Sequence, residues 1–147
     1  MSTALLLIEN AATLFMTGVL WTMQVLNYPL LSLVGRDALP AYESEHNKRF
    51  ALVVFPGVLI GIVGAGGLIL ARPARVPAFG PIAEVVLMVA IIVSTAALQA
   101  PQHGRLARGW DATAYHLLVR SNWIRVALWS LAGLLSLFMT QQVISGQ

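Results

Sequence analysis

Four apolar stretches, at about residues 3–26, 50–71, 79–100 and 119–141, occupy most of a 147-residue chain, and each is long enough to cross a bilayer. A spanning helix needs about 20 predominantly apolar residues, so lipid is the solvent in which this sequence has to fold. The expected architecture is all-α, an integral membrane four-helix bundle forming a single transmembrane domain over residues 1–147. With 58% hydrophobic and 10% charged residues and a mean hydropathy of +0.77, the chain would not stay soluble in water.

Charge sets the expected topology. The sequence pI near 10 resembles that of a nucleic-acid binder, but the basic residues sit in connecting segments beside the spans, where the positive-inside rule accounts for them; no nucleic-acid partner is expected. The first connection holds Arg36, Lys48 and Arg49, the third holds Arg105, Arg108 and Arg120, and the second holds only Arg72 and Arg75. Connections one and three are therefore expected in the cytoplasm, with both termini outside, in the inner (cytoplasmic) membrane of a cell. The opening MSTALLLIEN has no Lys or Arg before the apolar run and no small-residue cleavage site after it, so the first helix is expected to be retained. The absence of cysteine excludes disulfides, thiolate metal sites, iron–sulfur clusters and cysteine nucleophiles.

The second connection is short, and Pro73, Pro77 and Pro81 forbid a continuous helix through it. Connections one and three read as short interfacial helices, with Asp37 and Asp111 as candidate caps. The two halves resemble each other. Gln24 and Pro29 are followed by Asp37, Ala41-Tyr42, Asn47 and Arg49; Gln99 and Pro101 are followed by Asp111, Ala114-Tyr115, Asn122 and Arg125, at spacings that differ by one to three residues. Two parallel helix-pair repeats would bring both Gln–Pro corners to the same side of the membrane. In span two, Gly57, Gly61 and Ala65 recur every four residues, the pattern of close packing within the bundle or of a dimer seam.

Polar residues inside the spans form stripes: Asn10, Thr13, Thr17, Trp21 and Gln24 in span one, Glu84 to Gln99 in span three, and Asn122, Arg125, Trp129, Ser136 and Thr140 in span four. The hydroxyls read as interhelical hydrogen-bond glue, and Glu9 and Glu84 as acids at the outer ends, either interfacial or paired with nearby backbone, with a proton relay as the functional alternative. At the inner end Gln24, Asn27, Gln99, His103, Asn122 and Arg125 converge from three helices, with His46 entering from connection one. Arg125 either snorkels to the headgroups or anchors an anionic group within the bundle. Trp123 and Trp129 are candidate aromatic walls. His46 and His103 are candidate proton carriers and, with Glu43 or Glu45, candidate ligands for copper, non-haem iron or haem.

The segments NYPLL, YESEH, LQAPQHGRLARGWD and LVRSNWIRVALW resemble an uncharacterised family of small bacterial four-span integral membrane proteins, itself distantly similar to anthrone-oxygenase-like membrane proteins. That resemblance implies four helices with a shared polar corner and oxidation of a hydrophobic phenolic substrate by O₂; it assigns no residue a role. The function expected is binding of a small hydrophobic, quinone-like or phenolic ligand in an inner-leaflet pocket, extending to redox catalysis with His46, His103 and Arg125 as catalytic residues. Gln24, Asn27, Gln99, Asn122, Trp123 and Trp129 would line that pocket. The alternative is a non-catalytic membrane subunit, a homodimer or part of a larger complex, docking through the glycine face of span two.

Overall fold

The computed structural model describes residues 2–145. Among them every regular element is helical, and four helices are long and apolar enough to cross a membrane: α1, Ser2–Leu31; α2, Leu39–Leu70; α3, Phe79–Leu106; and α4, Ala112–Ile144. Their outward faces carry Phe15, Leu52, Phe55, Val63, Val86 and Leu134, a surface suited to lipid and not to water. The protein is a multi-pass membrane protein folded as a four-helix bundle. Helices of 28 to 33 residues are roughly 42–50 Å long, against a hydrocarbon core of about 30 Å, so every helix projects beyond the apolar layer.

That surplus revises the expected connections. The helical segments anticipated there are present, but as the first turns of α2 and α4, continuous with the spans, because no glycine or proline interrupts residues 41–55 or 112–132. The Asp111 carboxylate caps α4 by accepting from Ala114 N at 2.9 Å. Asp37 does not cap α2, which starts at Leu39 with Pro40 in its first turn. Nor do Pro29 and Pro101 end their helices. Each follows a π-helical turn, Met23–Asn27 or Thr95–Gln99, closed by the bonds Tyr28 N–H to Met23 O and Ala100 N–H to Thr95 O. A proline ring crowds the carbonyl four residues back and offers it no N–H; a widened turn just before the ring relieves both problems without breaking the helix.

The helices pack in a ring in which α1 and α3 each lie against α2 and α4, leaving like-directed helices diagonal. Several buried positions of the two halves correspond at a displacement of 75 residues, whereas the π-helical turns and the prolines after them are 72 apart. α1 and α3 end at equivalent residues, Leu31 and Leu106, and buried positions recur in pairs: Glu9 with Glu84, Met16 with Ile91, Gln24 with Gln99, Leu39 with Ala114. Met16 and Ile91 share the central core layer, and Leu31, Leu106, Leu39 and Ala114 share another. Equivalent residues at equal depth are what a pseudo-two-fold axis along the membrane normal requires.

The glycine face of α2 is buried inside the bundle. A Cβ on Gly57 would lie 2.5 Å from Met16 Cγ, and one on Gly64 would lie 2.8 Å from Glu9 Cβ. Gly57 and Gly64 meet α1 and Gly61 meets Met88 and Trp129, so the pattern serves close packing within the bundle.

Candidate functional site

Most of the α1 polar stripe faces α4. Asn10 Nδ2 donates to Thr140 Oγ1 at 2.7 Å, and Thr17 Oγ1 donates to the Trp129 carbonyl at 2.8 Å. Glu9, expected at the interface, is instead fully buried and accepts from Thr13 Oγ1 and Ser136 Oγ, both at 2.7 Å. Glu84 is equally buried, yet neither of its oxygens has a partner among the described residues. The repeat explains the contrast. The positions equivalent to Thr13 and Ser136 are Met88 and Gly61, which have no hydroxyl to donate.

The other polar cluster lies towards the end of the bundle that carries connections one and three, called the basic end below. Asn122 is its hub: Nδ2 donates to Gln24 Oε1 at 2.8 Å, while Oδ1 accepts from Arg125 Nε at 2.9 Å and Nη2 at 2.5 Å. Gln24 Nε2 in turn donates to the Val119 carbonyl at 3.2 Å. From Arg125 a chain of bonds runs outward. Nη2 lies 3.0 Å from the Tyr28 hydroxyl, that hydroxyl lies 3.3 Å from His103 Nε2, and His103 Nδ1 lies 2.9 Å from Glu43 Oε2.

The direction of this chain follows from its first member. A guanidinium can only donate, so the Tyr28 oxygen accepts from Arg125 and its O–H is left to donate to His103 Nε2. With the hydroxyl donating in this way Nε2 is bare and the imidazole proton sits on Nδ1, donated to Glu43; the tautomer is assigned from the network and not observed. Arg125 is only 5% exposed and Glu43 is fully buried, so the two opposite charges offset each other across a phenol and an imidazole. Arg125 does not snorkel. Of the two carboxylates considered beside the histidines, Glu43 lies one turn after Leu39 on the inward face, whereas Glu45 is exposed and paired with Lys48 and Arg49.

Two concavities flank the cluster. One is an apolar slot of about 230 Å³ lined by residues of all four helices: Met16 and Leu20, then Phe50, Val54 and Val58, then Ile91, Ile92, Thr95 and Ala96, and finally Arg125 and Trp129. Four equivalent pairs contribute (Met16 and Ile91, Leu20 and Thr95, Phe50 and Arg125, Val54 and Trp129), so the slot lies across the pseudo-axis and only one half supplies a cation. The other is a groove of about 460 Å³ between α1 and α2, edged by Asn27, Tyr42, Glu45, His46 and Arg49. Phe50 borders both spaces.

Compared with family models, curated proteins and solved structures, the chain matches none of them. The site is therefore read from its own geometry.

Gln24, His103, Asn122 and Arg125 come together as the sequence suggests, and Trp129, 1% exposed, walls the slot. Gln99 is buried but makes no bond to this cluster: its Oε1 accepts from Ser94 Oγ at 3.3 Å and its Nε2 has no partner among the described residues. Asn27 lies in the groove and accepts from the Tyr42 hydroxyl at 3.3 Å. Trp123 is misplaced by the sequence reading: it is 47% exposed on the lipid-facing side, edge-on to Trp21 with ring centres 5.6 Å apart. Tyr28 is the residue that sequence reasoning missed, because a tyrosine before a proline at a helix end reads as an interfacial anchor. Its equivalence to His103 was the available signal.

The two histidines do not converge as a metal site would require. Their rings stack with centres 5.8 Å apart and planes 22° apart, so their in-plane lone pairs run side by side. Both nitrogens of His103 are already engaged, by Glu43 and Tyr28. Among the described residues no three His, Cys, Asp or Glu side chains are gathered to hold an ion. Copper, non-haem iron or haem held between His46 and His103 does not fit this arrangement. Outside the spans, Asp111 has its pKa held below the ordinary carboxylate value, chiefly by the Ala114 N–H and also by Arg105, whose Nη2 lies 2.6 Å away.

Proposed function

We propose that this protein binds a small hydrophobic ligand with a polar or anionic head, of the quinone-like or phenolic class, in the apolar slot with the head on Arg125. The observation that carries the reading is a buried guanidinium lining an otherwise apolar space. Asn122 bonds two of its nitrogens, and no bond is made to Nη1 among the described residues. A volume of about 230 Å³ is below the ~300–1,000 Å³ of drug-sized pockets, so a single substituted ring is the size of group accepted. Half-exposed and exposed side chains of α2 and α3 form the rim, Val54, Val58, Ile92 and Ala96 among them. A ligand dissolved in the bilayer enters between these helices without crossing water.

The basic end faces the cytoplasm of an inner-membrane protein, on the six-to-two excess of Arg and Lys in connections one and three, which puts the slot in the inner leaflet. Redox turnover of that ligand is the catalytic form of the reading. Trp129 supplies the test. Titration of detergent-purified protein with 2,3-dimethyl-1,4-benzoquinone should quench tryptophan emission saturably, with quenching reduced in Trp129→Phe and affinity lost in Arg125→Gln. Ala96→Trp, which fills the rim without touching the polar cluster, should abolish binding as well. Unchanged quenching in both Arg125→Gln and Ala96→Trp would overturn the assignment.

A further inference from the structure

We infer that occupation of Arg125 by an anionic head group is coupled to uptake of a proton at His103, drawn from the groove at the basic end; the inference rests on the slot reading above. In the empty site the Arg125 charge is offset by Glu43 through Tyr28 and His103. An anion seated on Arg125 takes over that guanidinium and leaves Glu43 as an uncompensated charge, buried with its second oxygen unpartnered among the described residues. An unpaired buried charge is expensive, and the group able to neutralise it is already bonded to it.

His103 takes up the proton on Nε2, the nitrogen that is bare in the empty site. Both ring nitrogens then donate, Nδ1–H to Glu43 and Nε2–H to the Tyr28 oxygen. Tyr28 no longer has an acceptor in His103, and its O–H turns to the head group held on the same guanidinium. One anion and one proton enter, no covalent bond of the ligand changes, and the site returns to its original net charge. Imidazole suits the task because it donates from one ring nitrogen when neutral and from both when it carries the extra proton.

The groups facing His103 agree with this role. Tyr28 faces it from α1, Glu43 and His46 from α2, and Arg125 lies beyond Tyr28 on α4; on α3 itself Arg105 is held by Asp111 and Gln102. The His103 side chain is 13% exposed and stacks on His46, which edges the groove. The route from the aqueous side to Nε2 is therefore short.

The test uses 4-butylbenzoate, whose carboxyl is ionised throughout about pH 6–8, so that any proton taken up comes to the protein and not to the probe. Calorimetric titration of the full chain in detergent, in two buffers of different ionisation enthalpy, counts the protons directly. Wild type should take up about one proton per probe bound. His103→Gln and Tyr28→Phe should each bind at least about tenfold more weakly and take up none, whereas His46→Phe should retain the uptake. Binding without buffer dependence in wild type, or uptake that survives both His103→Gln and Tyr28→Phe, overturns the coupling and leaves the slot assignment standing. No binding of either benzoate or quinone by wild type would instead remove the slot assignment, and the coupling with it.

Discussion

Glu9 and Glu84 are equivalent residues in the two halves, equally buried and unequally bonded, and that inequality predicts opposite responses to one substitution. Methionine has nearly the same length and no polar atom. At Glu9 it removes two hydrogen bonds, from Thr13 and Ser136; bonds of this kind inside membranes contribute about 0.6–2 kcal/mol each. The freed hydroxyls can turn back to carbonyls one turn earlier on their own helices, which holds the loss for Glu9→Met near the low end, about 1–2 kcal/mol. At Glu84 nothing is lost, because neither oxygen is bonded among the described residues. Removing an unsatisfied buried polar group recovers roughly 1–3 kcal/mol. Glu9→Met should therefore lower stability and Glu84→Met raise it, a separation of at least about 2 kcal/mol.

The assay is equilibrium unfolding in detergent by titration with SDS, followed by circular dichroism. A second pair of variants isolates the cause. Gly61 is equivalent to Ser136, and a Cβ there would lie 3.1 Å from the Sδ of Met88, the movable part of a flexible side chain. Gly61→Ser should thus give Glu84 a donor, and in that background the gain from Glu84→Met should shrink or reverse. Equal losses for Glu9→Met and Glu84→Met would refute the reasoning, since they would mean that Glu84 is bonded as well as Glu9.

The remaining predictions concern packing and pH. Gly64→Ala should lower stability by about 1–3 kcal/mol, since its Cβ would meet Glu9 close to the backbone of α1; Gly66→Ala, which meets nothing within 4 Å, should be neutral or gain up to about 1 kcal/mol from helix propensity; thermal unfolding in detergent compares the two. Asp111 has a folded pKa below its ordinary value, so its stabilisation is present above the unfolded pKa and disappears as pH falls through the lower folded one. Asp111→Asn should therefore flatten the acid limb of a melting-temperature profile below about pH 4 while leaving α4 capped, and an unchanged limb would assign the acid sensitivity to other groups.

The number, class and approximate position of the helices were legible in the sequence because apolar run length is a direct consequence of bilayer thickness. Their ends were not. The spans read as ending at about residues 26 and 100, just before Pro29 and Pro101, and local sequence carries no sign that a π-helical turn before each proline lets the helix continue. Asn122 and Arg125 were legible as one unit because their spacing puts them on one helix face, and Gln24, Gln99 and His103 because they recur at the two corners. Trp123 was misread since it neighbours Asn122 in sequence, but adjacent residues on a helix point about 100° apart. The fate of Arg125 was beyond sequence: whether it snorkels depends on Tyr28 approaching across the bundle from α1, a tertiary fact.

Unlike residues at corresponding positions account for the asymmetry of the polar cluster. A perfectly symmetric bundle would place like residues opposite each other across the axis, so a second arginine at position 50 would set two guanidiniums against one apolar slot, an arrangement that like-charge repulsion and desolvation both oppose. The chain instead has Phe50 opposite Arg125, Val54 opposite Trp129, and Tyr28 opposite His103. The last pair is the most consequential. Tyr28 accepts from Arg125 and His103 meets Glu43, so the unlike pair links the guanidinium to the buried carboxylate. One of each gives a chain with a fixed direction, ending at a carboxylate on α2 whose own equivalent is Leu118. On the basic side these unlike pairs place Arg125, Tyr28, His103 and Glu43 in one hydrogen-bonded chain. Towards the other end Met88 and Gly61 supply no hydroxyl, and neither oxygen of Glu84 is bonded among the described residues.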